Sequence, residues 1–206
     1  MTANGNHRST SEVLLDVFRD HPQERMNIQD IIDGLGERSF GFLLLLFGLI
    51  SAVALVPGLA TVSAMPLLFF GLQMVAGYKS PWLPDFIARH AFARTDLFKT
   101  VERGIPIMHA VERICGPRLL FLTGGAAERL LGLVVFVLAV VIALPGPGTN
   151  FLPGVAIAVL SIAIINRDGL LMLFGMLGSL VALYIGALGV YLIVEDVVPW
   201  LWHKIF

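Results

Sequence analysis

One cysteine, Cys115, stands in 206 residues, which excludes an intrachain disulfide and a thiolate metal site. Charge is scarce too. Asp, Glu, Lys and Arg make up 14% of the chain, against about 25% in soluble domains. Neither sign prevails: 14 basic residues face 15 acidic ones for a net charge of −1. The chain therefore has no basic field for nucleic acid. Disorder is excluded as well, since it requires low hydrophobicity and high net charge, and hydrophobic residues reach 57% here. What is present in excess is apolar sequence with too little charge to give it a wet surface. The composition describes an integral membrane protein whose first partner is the lipid bilayer.

The polar residues 1–39 do not look like a signal peptide, which needs a basic stretch running directly into an apolar one and a small-residue cleavage site. Two amphipathic helices are expected instead. Ser9 and Glu12 fit a capping box ahead of Val13, Leu14, Val17 and Phe18. Asn27 caps a second helix in which Ile28, Ile31, Ile32 and Leu35 share a face and Gly36 is the stop. Such helices lie against the membrane surface or against the protein's own cytoplasmic face.

Five apolar segments follow, at 40–56, 59–77, 130–144, 151–165 and 170–194, and none contains Asp, Glu, His, Lys or Arg. At about 1.5 Å per residue the last is about 37 Å long and crosses a hydrocarbon core of about 30 Å with tilt. Segments 130–144 and 151–165 reach only about 22 Å each. Tight turns join the members of each pair, Val56-Pro57-Gly58 in the first and Pro145-Gly146-Pro147-Gly148-Thr149-Asn150 in the second. Short helices joined by Pro/Gly turns fit re-entrant hairpins, which survive in lipid only where protein or a wet cavity satisfies their backbone. Ordinary spanning hairpins with turns at the far interface fit the first pair equally well.

Residues 78–129 hold eight of the basic residues: Lys79, Arg89, Arg94, Lys99, Arg103, Arg113, Arg118 and Arg129. The positive-inside tendency places this segment and the N-terminus in the cytoplasm, with interfacial helices expected over residues 86–103 and 107–114. The resulting plan is an all-α membrane protein in five parts. These are N-terminal amphipathic helices (1–39), a first hairpin (40–77), a basic loop (78–129), a second hairpin (130–168), and a C-terminal spanning helix with interfacial tail (169–206). In the last part Gly178, Ala182 and Gly186 form a small-residue stripe for close helix approach, within the subunit or against a second copy. Trp200, Trp202 and His203-Lys204 after it look like an interfacial anchor.

The two hairpins repeat one another. Glu37-Arg38-x-x-Gly41 opens the first and Glu128-Arg129-x-x-Gly132 the second. Each continues to Ala-Leu, Pro-Gly, a further proline (Pro66, Pro153) and a second apolar run, ending in Tyr78-Lys79 or in Asn166-Arg167-Asp168. Interrupted helices in corresponding places point to a transporter-like site at the repeat interface. Both repeats start on the charged side, which implies parallel repeats unless a further crossing lies in 78–129. Glu37, Arg38, Glu128 and Arg129 then mark the mouth of each hairpin, pairing locally or with lipid headgroups.

Several chemistries lack their residues. Proton relays and ion paths use intramembrane ionisable groups, and the apolar segments have none. There is no His-Glu-x-x-His, no Walker motif, and no base near Ser161. We therefore expect no enzyme, no metal and no cofactor. What remains is backbone chemistry. Pro57, Pro66, Pro145, Pro147 and Pro153 free upstream carbonyls. Gly58, Gly146 and Gly148 admit close approach, and Gln73, Thr149 and Asn150 supply polar side chains at depth. These residues form the expected substrate or ion pathway; the alternative is that they only shape helix packing.

The ordered set of motifs resembles the ExoD family of bacterial inner-membrane proteins. The resemblance is carried by Gly36 through Gly41, by Val56-Pro57-Gly58 to Pro66, and by Gln73 and Gly77 ahead of Pro81-Trp82-Leu83-Pro84. It continues through Glu112-Arg113, Pro117-Arg118-Leu119, Ala143-Leu144-Pro145, Asn150, Pro153 and Arg167-Asp168-Gly169-Leu170. One departure is local: Gly148 and Thr149 separate Pro147 from Asn150 where the family has a shorter turn. The resemblance implies a role in making or exporting surface polysaccharide, with polysaccharide-synthesis proteins as partners, and a link to growth at alkaline pH. Two readings of the activity stay open, a transporter- or channel-like subunit for an ion or lipid-linked carrier, and a non-transporting scaffold for synthesis enzymes.

Overall fold

The computed structural model describes residues 25–54, 59–89, 91–93, 109, 115–116, 118–119, 124–144 and 150–205. The expected helix after Ser9 and the turn residues Pro57, Gly58, Pro145, Gly146, Pro147, Gly148 and Thr149 lie outside them. The chain forms a helical bundle. Its elements are α1 (Ile28–Leu35), a 3-10 turn (Gly36–Arg38), α2 (Ser39–Val53), α3 (Leu59–Ala76), α4 (Asp85–Ala88), α5 (Gly125–Ala143), α6 (Phe151–Asn166) and α7 (Gly169–Ile205). One short antiparallel pair, β1 (Arg25–Asn27) with β2 (Ala91–Ala93), ties the N-terminal side to the central segment.

Helix α1 begins and ends where capping chemistry puts it. The Asp30 carboxylate accepts the Asn27 backbone N–H at 2.9 Å, and Gly36 closes the helix at φ +54°. Ile32 and Leu35 are buried, with Ile32 in the main core, so α1 lies on the bundle itself.

Two expectations change. Helix α5 starts at Gly125 rather than Leu130, because Glu128 and Arg129 fit its first turns; its 19 residues reach about 28 Å. Where one helix is expected over 86–103, the described residues hold one turn of helix at Asp85–Ala88 followed by strand β2; residues 94–103 lie outside the described residues. The tail around Trp200 continues α7 to Ile205.

Among the described residues four helical stretches are long and apolar enough to cross a membrane: Ile28–Val53, Leu59–Ala76, Gly125–Ala143 and Gly169–Gly189. Helix α6 is shorter, and its environment explains why. Pro153, Gly154, Ala156, Ile157, Ala158, Leu160, Ser161, Ala163 and Ile165 are all buried. An all-round apolar helix of this kind belongs inside a bundle. The outer helices instead expose apolar stripes at helical spacing: Val62, Met65, Phe69 and Leu72 on α3, and Leu130, Leu133, Val137 and Val140 on α5. Such a surface aggregates in water but matches lipid. Buried hydroxyls are satisfied locally. Ser51 donates to the Phe47 carbonyl at 2.8 Å and sits 2.7 Å from Ser63. Ser161 donates to the Ile157 carbonyl at 2.6 Å.

The hairpins pack crosswise: α3 lies mainly on α5 and α2 mainly on α6. Glycine makes both contacts. A Cβ on Gly132 would meet the Met74 Cβ at 2.6 Å and the Gly71 carbonyl oxygen at 2.9 Å. One on Gly154 would meet the Ala52 nitrogen at 2.6 Å and the Gly48 oxygen at 2.8 Å. Close backbone approach through small residues is the usual way helices hold together in lipid. Helix α7 completes the bundle mainly against α6, with Gly175 on Leu160, and also touches α5, with Gly186 on Val141. Ser179 and Ala182 are buried along the same face. The small-residue stripe thus packs within the subunit, except Gly178, which has nothing within 4 Å.

Candidate functional site

The ends of the two hairpins match in detail. Helix α3 closes in a Schellman turn, with Tyr78 N–H to the Gln73 carbonyl at 3.1 Å, Gly77 N–H to the Met74 carbonyl at 3.0 Å, and Gly77 at φ +86°. Helix α6 closes in the same way. Asp168 N–H reaches the Ala163 carbonyl at 3.0 Å and Arg167 N–H the Ile164 carbonyl at 3.3 Å, with Arg167 at φ +50°. Glycine takes the left-handed position freely. Arginine there costs about 1–2 kcal/mol and is held by what surrounds it.

On one side, Arg167 donates to the Glu37 carboxylate at 2.5 Å, joining the end of the second hairpin to the start of the first. On the other side, the next residue is locked. Asp168 is buried; its Oδ1 accepts the N–H groups of Leu170 (3.0 Å) and Leu171 (3.2 Å) and its Oδ2 that of Gly116 (3.1 Å). It therefore caps α7 and fastens the central segment beside it. Gly169 donates to the Arg118 carbonyl at 2.7 Å, and a Cβ there would fall 2.5 Å from the Leu119 carbonyl oxygen. The neighbouring Cys115 thiol is pushed above its ordinary pKa, by burial first and then by the Asp168 charge, with Arg118 opposing.

All four hairpin ends surround one cavity of about 910 Å³. Glu37 and Phe40 come from the start of the first hairpin and Met74, Gly77, Tyr78 and Lys79 from its end. Gly125, Ala126, Glu128 and Arg129 come from the start of the second, and Ile164 and Arg167 from its end. Three cations and two carboxylates form the rim, over a floor of Phe40, Met74 and Ile164. Glu128 feels the charge of Glu37 against those of Arg167 and Lys79. The Arg129 guanidinium lies against Gly77, 2.9 Å from where a Cβ would stand, beside the carbonyl end of α3, which favours a cation. Arg38 sits nearby with Glu37, Glu128 and Arg167 around a smaller recess.

The structure thus brings Glu37, Arg38, Glu128 and Arg129 together at one end of the bundle. One ion pair crosses between repeats, from Glu37 to Arg167. Lys79 and Arg167 complete the cluster. In the sequence each follows the second apolar run of its repeat, Lys79 among the basic residues of 78–129 and Arg167 at the head of Arg167-Asp168-Gly169-Leu170.

Gln73 also lies toward this end, where its amide holds the Trp82 peptide twice: Nε2 donates to the Trp82 carbonyl at 2.9 Å and Oε1 accepts the Trp82 N–H at 2.7 Å. Pro66 is half-buried inside α3. Pro153 is fully buried in the first turn of α6, where its missing N–H leaves no bond unmade. Asn150 precedes α6, its carbonyl accepting the Gly154 N–H at 3.0 Å. It stands at the other end of the bundle, where Thr61 Oγ1 approaches the Ala143 carbonyl at 3.5 Å. Among the described residues no group of three or more His, Cys, Asp or Glu is placed to hold a metal.

Apolar spans, a buried central helix and two crosswise hairpins sharing one charged mouth define a multi-pass helical membrane protein. The ExoD family, described as exopolysaccharide synthesis, matches residues 10–188. The chain belongs to this family. It is 31% identical to Protein ExoD of Rhizobium meliloti over 82% of this chain and 72% of that protein. It is 27% identical to an uncharacterised protein of Synechocystis sp. over 79% of this chain and 77% of the relative. No solved structure matches it.

Proposed function

We propose that this chain is a transporter- or channel-like subunit of exopolysaccharide synthesis or export in the bacterial inner membrane. It handles an ion or a lipid-linked carrier and carries out no enzymatic step. The observation that supports this is the crosswise packing. Each hairpin contacts the other through both of its helices, and the cavity of about 910 Å³ lies at their shared end. Duplicated units of this kind hold solute sites between them and work by rocking one unit against the other. The Glu37–Arg167 pair crosses that interface at the mouth. In this reading the mouth faces the cytoplasm together with the N-terminus and the basic segment 78–129.

A scaffold reading draws support from a different observation. The central segment is stitched to the bundle at Gln73–Trp82 and Asp168–Gly116, which would give synthesis enzymes a fixed platform. Purified protein in liposomes separates the two. Protein-dependent flux of an ion, or movement of a lipid-linked sugar between leaflets, is expected. Sealed, inert proteoliposomes together with capture of synthesis enzymes by the full-length chain would favour the scaffold.

A further inference from the structure

We propose that the charged mouth is a binding site for a phosphate group, with Lys79 and Arg129 as its principal ligands. The proposal rests on the reading of this cavity as the working mouth of the bundle. Its first support is an imbalance. Arg167 is already engaged by Glu37, whereas among the described residues neither Lys79 nor Arg129 has a hydrogen bond or ion pair within reach through its side chain. Glu128 is the remaining carboxylate of the rim and interacts with Lys79, so with Arg167 and Glu37 set against each other, two cations face one acid and the site is short of negative charge.

The second support is geometry. Arg129 lies in the space that Gly77 leaves empty, which brings its planar fork to the rim of the cavity. Such a fork suits two phosphate oxygens, with lysine as a point charge beside it. The lining also includes Gly125 and Ala126 at the start of α5, where no large side chain keeps an anion from the backbone N–H groups. A volume of about 910 Å³ exceeds what a bare phosphate fills and leaves room for an attached headgroup. A cation ligand fits poorly, because one of the two carboxylates, Glu37, is already paired.

Phosphate can come from a lipid headgroup or from a soluble ester, and titration of the full-length protein in neutral detergent distinguishes them. The probes are dioleoyl phosphatidic acid, inorganic phosphate, and dioleoylglycerol as the phosphate-free match. Saturable binding is expected for at least one phosphate probe and for none of the glycerol. Binding of phosphatidic acid alone identifies a lipid source; comparable binding of inorganic phosphate identifies a soluble one. Arg129→Gln and Lys79→Gln should each weaken binding about tenfold. Arg129→Lys should keep part of it, and Arg89→Gln, exposed and outside the cavity, should change nothing. Absence of saturable binding to either phosphate probe, or a fully binding Lys79→Gln/Arg129→Gln double variant that unfolds at the wild-type temperature, overturns the proposal. Flux without phosphate binding would overturn this assignment alone. Phosphate binding without flux would overturn only the transport reading.

Discussion

Placing a methyl group at Gly132 tests the crosswise packing at its tightest point. The new Cβ would lie 2.6 Å from the Met74 Cβ, 2.8 Å from the Val75 nitrogen and 2.9 Å from the Gly71 oxygen. Two of these are backbone atoms of α3 and the third is fixed to it, so no side chain can swing aside. Helices α3 and α5 must move apart along their main contact. Overpacking of this kind costs about 1–3 kcal/mol, and the helix-propensity gain of Gly→Ala offsets at most about 1 kcal/mol. The contact is rigid on both sides, which puts Gly132→Ala at the upper part of that range, a net loss of about 1–2 kcal/mol. Gly178→Ala is the matched control. It has nothing within 4 Å and should be neutral or slightly stabilising. Thermal unfolding of both purified variants, followed by loss of the monodisperse peak on size exclusion, should show opposite displacements of the midpoint. A Gly132→Ala protein as stable as wild type would refute the glycine-mediated contact between the hairpins.

Four further outcomes are expected. A double-mutant cycle of Glu37→Gln and Arg167→Gln should give a coupling of about 0.5–1 kcal/mol, small because both side chains are half-exposed; zero coupling would remove the pair from the mouth. Asp168→Asn should destabilise by about 1–2 kcal/mol through its cap bonds. It should also lower the raised Cys115 thiol pKa and so speed alkylation by iodoacetamide near neutral pH, and an unchanged rate would contradict the Asp168 contribution. Cysteine at Thr10 or Thr95, in a Cys115→Ser background, should resist an impermeant thiol reagent in intact cells, and labelling of either from outside would reverse the proposed orientation. Asn150→Leu should insert and fold yet fail to restore polysaccharide production in a deletion strain. Full complementation would remove Asn150 from the pathway.

The sequence was most legible where one local rule decides. Asn27 and Gly36 bracket α1 because capping and left-handed termination depend on a few neighbouring residues. The recurring Glu-Arg-x-x-Gly marks both hairpin starts, and the apolar runs mark the spans. Helix α6 was readable as apolar and short, but not as buried. Burial depends on α2 and α7 closing over it, and a uniformly apolar helix carries no face to reveal its partners.

The charged mouth was half legible. Glu37, Arg38, Glu128 and Arg129 stand out in a chain poor in charge. Lys79 and Arg167 join them only because each hairpin packs on the other's second helix, a pairing between residues far apart in sequence. Arg167 in a left-handed turn has no local signal at all, since the position favours glycine, as Gly77 shows in the first hairpin. Gln73 looked like a polar group at depth. Its amide is engaged by the Trp82 peptide, nine residues on, through a loop whose path its composition does not dictate.

The shared mouth is the central claim, and cross-linking tests it most directly. Glu37→Cys and Arg167→Cys, paired in a Cys115→Ser chain with a protease site inserted between residues 94 and 108, would be treated in native membranes with a short bis-methanethiosulfonate. After cleavage the two halves should stay joined until reductant is added. The matched Val53→Cys/Arg167→Cys chain, whose first cysteine lies at the far end of α2, should fall apart. Halves that separate in the first case, or stay joined in the second, would contradict an arrangement in which both hairpins open onto one charged end.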